Sequence, residues 1–230
     1  AGGSALAALL LGHASPSGKL AETFPLAAED CASHPYFQEL PRRLVYREGL
    51  HVGYRHFASQ RLAVRYPFGH GLSYTSFRYD RLELSGRDVT IPDAAALLLG
   101  ADAPPLLHAT VALTNTGGAD GAEVVQLYIA PADGLAIYRP AIELRAFGKV
   151  RVARDASASV QLELPPRAFA YYDATAGDWR VEPGTYRILV GASSEDIRLS
   201  TTVRVAARAE LRPLPPAVSA YKPYYTLSDA

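Results

Sequence analysis

The chain has 230 residues, of which 49% are hydrophobic and 20% are charged, as in an ordinary globular protein. Lysine plus arginine and aspartate plus glutamate both number 23, so no net field favours nucleic acid or an anionic membrane surface as a partner. The single cysteine, Cys31, excludes an intrachain disulfide, and the apolar run at residues 5–11 is too short to span a bilayer.

The start of the chain predicts little regular structure. Residues 3–12 (GSALAALLLG) are rich in Ala and Leu and predict a short helix that ends at Gly12. Residues 13–25 predict a turn-rich connection. Residues 26–43 show no clean period, carry two prolines and predict a surface loop.

The next stretch predicts a change of structure. Residues 62–66 are compatible with a short strand, and the proline and two glycines of residues 67–71 (PFGHG) predict a tight loop that needs positive φ. Further on, the Ala/Leu-rich residues 92–103 predict either a loop or a helical excursion between two strands. The proline-rich tail from Arg212 predicts an extended arm.

Beyond residue 73 the pattern is that of β-strands. Alternation of apolar and polar residues is clearest in residues 107–115 (LHATVALTN) and 157–164 (SASVQLEL). The predicted strands are residues 79–84, 107–115, 123–130, 144–152, 157–164, 169–172, 185–191 and 197–205. Seven or eight short strands at this spacing, separated by Gly, Pro and Asp turns, predict a two-sheet antiparallel sandwich.

Motifs in order along residues 2–199 carry a resemblance to a known family. GGSALAALLLGHASPSGKLAETFP (residues 2–25) resembles the helix, loop and PSGKL-type turn that close the (α/β)6 sandwich domain of glycoside hydrolase family 3. YREGLHVGYRHF (46–57) and YPFGHGLSYTSF (66–77) resemble the segments that lead out of that domain. The stretches that resemble the fibronectin type III-like domain that follows are LTNTGGADGAEVVQLYIA, RPAIELRAFGKVRV and WRVEPGTYRILVGASSEDIRL.

The resemblance implies a mainly β fold. It is a fibronectin type III-like, immunoglobulin-like antiparallel β-sandwich preceded by a remnant of an α/β sandwich domain. The implied division assigns residues 1–66 to the remnant of the (α/β)6 domain, residues 67–210 to the sandwich and residues 211–230 to a Pro-rich C-terminal tail.

The resemblance also implies an activity, retaining hydrolysis of O-glycosyl bonds of the β-glucosidase type. An Asp nucleophile and a Glu acid/base then lie about 5 to 5.5 Å apart. In the family both carboxylates precede the motifs quoted above, so we assign no catalytic residue to this chain. We expect a C-terminal fragment that is inactive alone, and the absence of methionine fits a piece whose start lies elsewhere. The alternative is a free-standing carbohydrate- or cell-wall-binding β-sandwich module.

The same resemblance implies the partners. In the full-length enzyme they are a β-linked glucoside or oligosaccharide and the missing N-terminal barrel domain of the same polypeptide. No cofactor, metal, nucleic acid or membrane is expected. Xylosidases share the architecture, so the choice between glucoside and xyloside stays open. Localisation stays open as well, because the parent class includes secreted, periplasmic and cytoplasmic members.

Five residues in the two lead-out segments are candidates for a supporting role beside the active site or for domain docking. They are Glu48, Tyr54, Arg55, His70 and Tyr74. Glu48 has rings and an arginine nearby, as a general acid with a raised pKa would. A glutamate that fixes a loop is favoured, because the family's proton donor lies elsewhere.

Three histidines, His51, His56 and His70, fall within 20 residues of each other and raise the question of zinc. No carboxylate pattern supports a metal site, so ordinary buried or surface histidines are favoured.

An aromatic platform for sugar stacking is the last candidate. Trp179 together with Tyr171, Tyr172 and Tyr186 could present apolar ring faces to a sugar. A single Trp on a sandwich strand is more often a core residue, and that interpretation is favoured.

Overall fold

The computed structural model describes residues 2–37, 47–131 and 137–211. Most of the predicted tail, part of the predicted loop at 26–43 and the first residue of the 46–57 motif lie outside the described residues. The helices are α1 (Gly2–Leu10), α2 (Tyr54–Gln60) and α3 (Ala94–Leu99). Short 3₁₀ helices lie at Ala28–Asp30, His34–Tyr36, Gly100–Asp102, Pro166–Phe169 and Ala209–Leu211. The strands are β1 (Phe24–Pro25), β2 (Val64–Tyr66), β3 (Phe77–Leu84), β4 (Asp88–Ile91), β5 (Leu107–Asn115), β6 (Gly121–Pro131), β7 (Glu143–Val152), β8 (Ser157–Leu164), β9 (Tyr171–Asp173), β10 (Asp178–Arg180), β11 (Gly184–Gly191) and β12 (Ile197–Ala207).

Eight of the described strands form two packed sheets. One sheet has the order β4-β12-β11-β6-β7 and the other the order β3-β5-β8. All neighbouring pairs in these sheets are antiparallel except β12 and β4. The mainly β, two-sheet sandwich predicted from the strand pattern is therefore confirmed.

Strand β5 shows why these segments become strands. Its alternate residues Leu107, Ala109, Val111 and Leu113 are buried, and the polar residues between them are only half-buried. A strand has a side-chain period of two, so this alternation places these four apolar side chains on the face that meets the other sheet. Each fully buried leucine or valine contributes about 1.5 to 3 kcal/mol relative to an exposed one.

Strand β6 is buried on both faces. Residues 125–130 (VQLYIA) are all almost inaccessible, although a strand at a sandwich surface normally buries every second residue. Val125, Leu127 and Ile129 belong to the core between the sheets, whereas Tyr128 belongs to a second, outer cluster. The residues before β3, here called the leading segment (described residues 2–37 and 47–76), cover this outer face.

Strand β4 was not predicted, and its pairing differs from the antiparallel expectation. Its four residues run parallel to the end of β12, with Asp88 opposite Arg204. No hairpin joins the two strands, so the chain is free to approach the edge in either direction. Val89 and Ile91 point into the core, which explains why so short a strand is stable there.

The strand predicted at 169–172 is partly wrong. The structure has a 3₁₀ helix at Pro166–Phe169 and a strand only at Tyr171–Asp173. Prolines 165 and 166 favour this tight turn, because their fixed φ suits the first turn of a helix. The strand then pairs with β10, which was not predicted, across a turn capped by the Asp173 carboxylate.

One helix prediction is confirmed, and the structure resolves one stretch whose sequence left loop and helix open. Residues 3–12 lie in or just after α1, and Gly12 takes a positive φ of 72°. The ambiguous stretch at 92–103 is helical: Asp93 caps α3 by accepting a hydrogen bond from the Ala96 amide, and Leu97 is fully buried. None of the helices in the described ranges is long and apolar enough to cross a membrane.

Candidate functional site

The outer face of the five-stranded sheet, around Gln126, Tyr128 and Leu189, is called here the docking face. Tyr128 and Leu189 form a buried cluster with Ala130 and Ile142, and side chains of α2 pack against it. An exposed sheet face would not bury these residues, so the docking face is a contact between two parts of the chain.

Helix α2 contacts the docking face through Tyr54. The Tyr54 ring stacks on Phe68 with 4.7 Å between centroids and meets the edge of Tyr128 at 6.0 Å. The Leu144 amide donates a hydrogen bond to the Tyr54 hydroxyl at 2.8 Å. Burial raises the pKa of Tyr54, so the hydroxyl stays protonated.

The predicted tight loop at 67–71 fits against Gln126. Gly69 has φ of 81°, and a Cβ there would lie 2.0 Å from Gln126 Oε1. The Gln126 amide donates to the carbonyls of Gly69 at 3.1 Å and Ala192 at 2.7 Å, and its Oε1 accepts from the Tyr128 hydroxyl at 2.6 Å. Only glycine meets both requirements at position 69, the positive φ and the close approach.

The PSGKL turn packs on the same loop. The Gly69 amide donates to the Leu20 carbonyl and the Leu20 amide donates to the His70 carbonyl, both at 2.8 Å. A Cβ on Gly71 would lie 2.4 Å from the Gly18 carbonyl oxygen. The two glycine-containing turns therefore meet backbone to backbone.

A buried ion pair fixes the PSGKL turn to the sandwich. Lys19 Nζ lies 2.9 Å from Glu123 Oε1, and their side chains are only 14% and 7% exposed. The Tyr79 hydroxyl donates to the same oxygen at 3.1 Å, and the Arg198 guanidinium lies 5.8 Å from the Tyr79 ring centroid. Burial, followed by the Glu123 charge, raises the pKa of Tyr79, which keeps it a donor.

The structure brings together only part of the predicted residue set. Tyr54 lies at the docking face. The His70 carbonyl accepts a hydrogen bond from the Leu20 amide within the leading segment, and its ring tilts against Tyr66 at 5.2 Å. Tyr74 joins two parts of the leading segment, because its hydroxyl donates to the Leu9 carbonyl at 2.9 Å and its amide to Ser15 Oγ at 3.1 Å.

Glu48 and Arg55 lie before and within α2. Both are half-buried, and the Glu48 carbonyl accepts a hydrogen bond from the His51 amide at 2.8 Å. This backbone bond closes the turn before α2. No ion pair joins either side chain to another of the described residues.

The three histidines have separate environments. His51 is buried against the ring of Tyr138 at 5.2 Å, and His56 Nε2 lies 3.1 Å from the Asp30 carbonyl oxygen. Within residues 2–37, 47–131 and 137–211, no three His, Cys, Asp or Glu residues are grouped closely enough to hold a metal ion.

The aromatic residues weighed as a sugar-stacking platform lie in different environments. Trp179 is half-buried against the main core, and the Arg167 guanidinium lies 3.7 Å from its ring centroid. Tyr172 meets it edge to face at 5.5 Å, and Tyr186 is fully buried. One face of the Trp179 ring is therefore occupied by an arginine of the same chain.

A second glutamate of the sandwich is held in ion pairs. Glu143 lies 2.6 Å from Arg139 and 2.9 Å from Arg145. Burial by itself would raise the pKa of Glu143, but the two guanidinium groups outweigh it and hold the pKa below its usual value. Such a carboxylate stays ionised near neutral pH and is unsuited to protonating a leaving group.

Sequence reasoning missed three residues that join the leading segment to the sandwich: Gln126 on the docking face, and the ion pair of Lys19 with Glu123. Lys19 belongs to the quoted PSGKL motif, and Glu123 and Gln126 interrupt an otherwise apolar strand. A polar residue on a strand buried on both faces needs a partner, and that was the available signal.

The fold defines the class of this protein: a fibronectin type III-like sandwich with an attached leading segment. Comparison with known proteins finds the same two parts. Residues 1–74 match the Glycosyl hydrolase family 3 C-terminal domain, and residues 123–194 match the Fibronectin type III-like domain. The chain corresponds to the C-terminal part of a glycoside hydrolase family 3 protein, as the motifs predicted.

Curated relatives are longer proteins. The chain is 39% identical over 210 residues to "Thermostable beta-glucosidase B" of Acetivibrio thermocellus, covering 91% of this chain and 26% of that protein. It is 40% identical over 213 residues to "Exo-alpha-(1->6)-L-arabinopyranosidase" of Bifidobacterium breve, covering 93% and 26%. The chain thus spans about a quarter of the length of these relatives.

Solved structures share the fold. The family 3 beta-glucosidase of Bifidobacterium adolescentis superposes with a TM-score of 0.76 at 38% identity, covering 89% of this chain and 28% of that one. The beta-D-glucoside glucohydrolase from Trichoderma reesei gives 0.76 at 34% identity, covering 89% and 29%.

Proposed function

We propose that this chain is the C-terminal scaffold of a retaining β-glucosidase-type glycoside hydrolase. In this proposal residues 67–210 are the structural sandwich, residues 1–66 are the end of the (α/β)6 domain and residues 211–230 are a tail. The observation that carries it is the docking face, where the segment that matches the family 3 C-terminal domain packs on the fibronectin type III-like domain. The function of such a contact is to hold the end of the α/β domain in one position.

The catalytic Asp and Glu belong, in this proposal, to the part of the relatives that this chain does not cover. Two features support that assignment. The chain aligns with about a quarter of each relative, and the buried Glu123 and Glu143 are already committed to cations of the same chain.

The exposed side of the leading segment supports the same role. Large apolar side chains that are 38–75% exposed stand on it and would pack against the rest of the α/β domain; they are Leu6, Leu10, Leu11, Phe24 and Leu26. Exposed apolar groups gathered on one segment are typical of a surface that another part of a protein covers.

An activity assay tests the proposal in two steps. The 230-residue chain alone should show no turnover of an aryl β-glucoside, since two carboxylates must act together in retaining hydrolysis. A chimera in which this chain replaces the aligned region of the thermostable beta-glucosidase B should hydrolyse the aryl β-glucoside. Turnover by the chain alone near that of a full enzyme would overturn the proposal, as would an inactive chimera that is folded.

Specificity is read from the same chimera. Aryl β-glucoside, aryl β-xyloside and aryl α-L-arabinopyranoside are compared, because the relatives include both a glucosidase and an arabinopyranosidase. A scaffold should leave the order of preference of the upstream enzyme unchanged.

A further inference from the structure

A cleft of about 730 Å³ lies between the leading segment and the edge of the five-stranded sheet, away from the docking contacts of Tyr54 and Gln126. Its walls come from residues 13–17 on one side and from β6 and β7 on the other. The volume falls in the range of about 300 to 1,000 Å³ that is typical of small-molecule sites.

Two cations of β7 face this cleft. Lys149 and Arg151 are separated by one residue, so both side chains project from the same side of the strand. Lys149 Nζ donates to Ser17 Oγ at 2.8 Å, across the cleft. Arg151 has no carboxylate partner among the residues that the structure describes.

The acidic residue of the cleft is partly engaged. Oδ1 of Asp120 accepts a hydrogen bond from the Arg154 amide at 2.7 Å. With Lys149 and Arg151 against Asp120, the charged side chains of the lining sum to one net positive charge, so the cleft favours an anion.

The space exists because the floor is built from small residues. Ala122 lies opposite Arg151 in the strand register, with Gly121 next to it. The Ser15 hydroxyl holds the opposite wall in position. It lies 3.0 Å from Ser73 Oγ and accepts a hydrogen bond from the Tyr74 amide at 3.1 Å. The cleft is therefore preformed.

We propose that this cleft binds a small polyhydroxylated carboxylate, a hexuronate or a uronate unit of an acidic saccharide. The Arg151 guanidinium pairs with the carboxylate, since its fork of donors matches two carboxylate oxygens. Ser17 and the Lys149 ammonium then bond the ring hydroxyls. Among the described residues, the lining contains no Phe, Tyr or Trp for ring stacking, so recognition depends on charge and hydroxyl contacts. The site is independent of the proposed scaffold role.

Calorimetric titration of the 230-residue chain with D-glucuronate, D-glucose and sulfate, at low ionic strength, tests this site. Glucuronate should bind at least ten-fold more tightly than either of the others. Arg151→Gln should weaken glucuronate binding by roughly ten-fold or more, the effect of losing a charged hydrogen bond. Arg187→Gln, the same exchange at an exposed position of β11, is the matched control and should change nothing.

Ala122→Leu provides a second variant that keeps both cations. It fills the floor and should abolish glucuronate binding while the thermal midpoint of unfolding shows that the protein is folded. The proposal fails if sulfate or glucose binds as tightly as glucuronate, or if Arg151→Gln and Arg187→Gln behave alike. None of these results depends on glycosidase activity, so they are separable from a failure of the scaffold proposal.

Discussion

Lys19 Nζ and Glu123 Oε1 are 2.9 Å apart although 104 residues separate them in sequence. The pair joins the turn of the leading segment to the third residue of β6, and the Tyr79 hydroxyl donates a second hydrogen bond to the same carboxylate oxygen. Because both side chains are largely removed from water, neither charge can regain hydration if its partner is lost.

Glu123→Gln should therefore destabilise the protein strongly. The substitution keeps the shape but leaves the Lys19 ammonium buried without a counterion, and the free energy of unfolding should fall by about 3 kcal/mol. Urea denaturation at neutral pH measures the change. Glu83→Gln is the matched control, because the Arg81–Glu83 pair is 68% and 56% exposed and should contribute less than about 1 kcal/mol. Equal effects of the two substitutions would contradict the role of the buried pair.

Gly69→Ala should lower the free energy of unfolding more than Gly12→Ala does. The new Cβ meets both the strain of φ 81° and an overlap with Gln126 Oε1. Gly12→Ala has a comparable φ of 72° but nothing within 4 Å of the added atom, so it measures backbone strain alone. We expect about 1 kcal/mol at position 12 and at least about 2 kcal/mol at position 69 by urea denaturation. Equal losses of stability at the two positions would show that the Gln126 side chain moves aside at no energetic cost, which contradicts the prediction.

Tyr54→Phe tests the hydrogen bond between α2 and the start of β7. Removing the hydroxyl leaves the Leu144 amide without its acceptor while the ring stack on Phe68 is kept. The expected loss of stability is about 1 to 3 kcal/mol, the cost of an unpaired buried donor. Tyr172→Phe, at a ring that is 55% exposed, should change stability by less than about 0.5 kcal/mol. Hydrogen exchange at Leu144 provides a local readout, and unchanged protection there would contradict the assignment.

His51 predicts a loss of stability under mildly acidic conditions. Burial lowers the pKa of His51 below its ordinary value of 6.5, and the charges of His56 and Arg55 act in the same direction. The unfolded chain then binds a proton more readily than the folded chain, so the free energy of unfolding falls as the pH drops below about 6.5. His51→Phe, which keeps the ring contact with Tyr138, should reduce this slope between pH 7 and 5. His13→Phe, at an exposed position, should leave it unchanged.

The sandwich was predictable because its signal is local. Alternation in β5 and β8 reports which side chains face the core, and the glycines of residues 67–71 report a turn that other residues disfavour. These features depend on neighbours in sequence. The order of the motifs along the chain indicated the family.

The partners across the docking face were decided only by tertiary structure. Gln126 looks like an interruption of an apolar strand until the leading segment covers the outer face of that strand. Glu123 pairs with Lys19, 104 residues away, and such a pairing leaves no periodic trace in either segment. The parallel placement of β4 is similar, because four residues alternate in the same way whichever direction the neighbouring strand runs. Local patterns indicate which face of a helix or strand is buried. Which residues cover that face depends on how elements distant in sequence pack together.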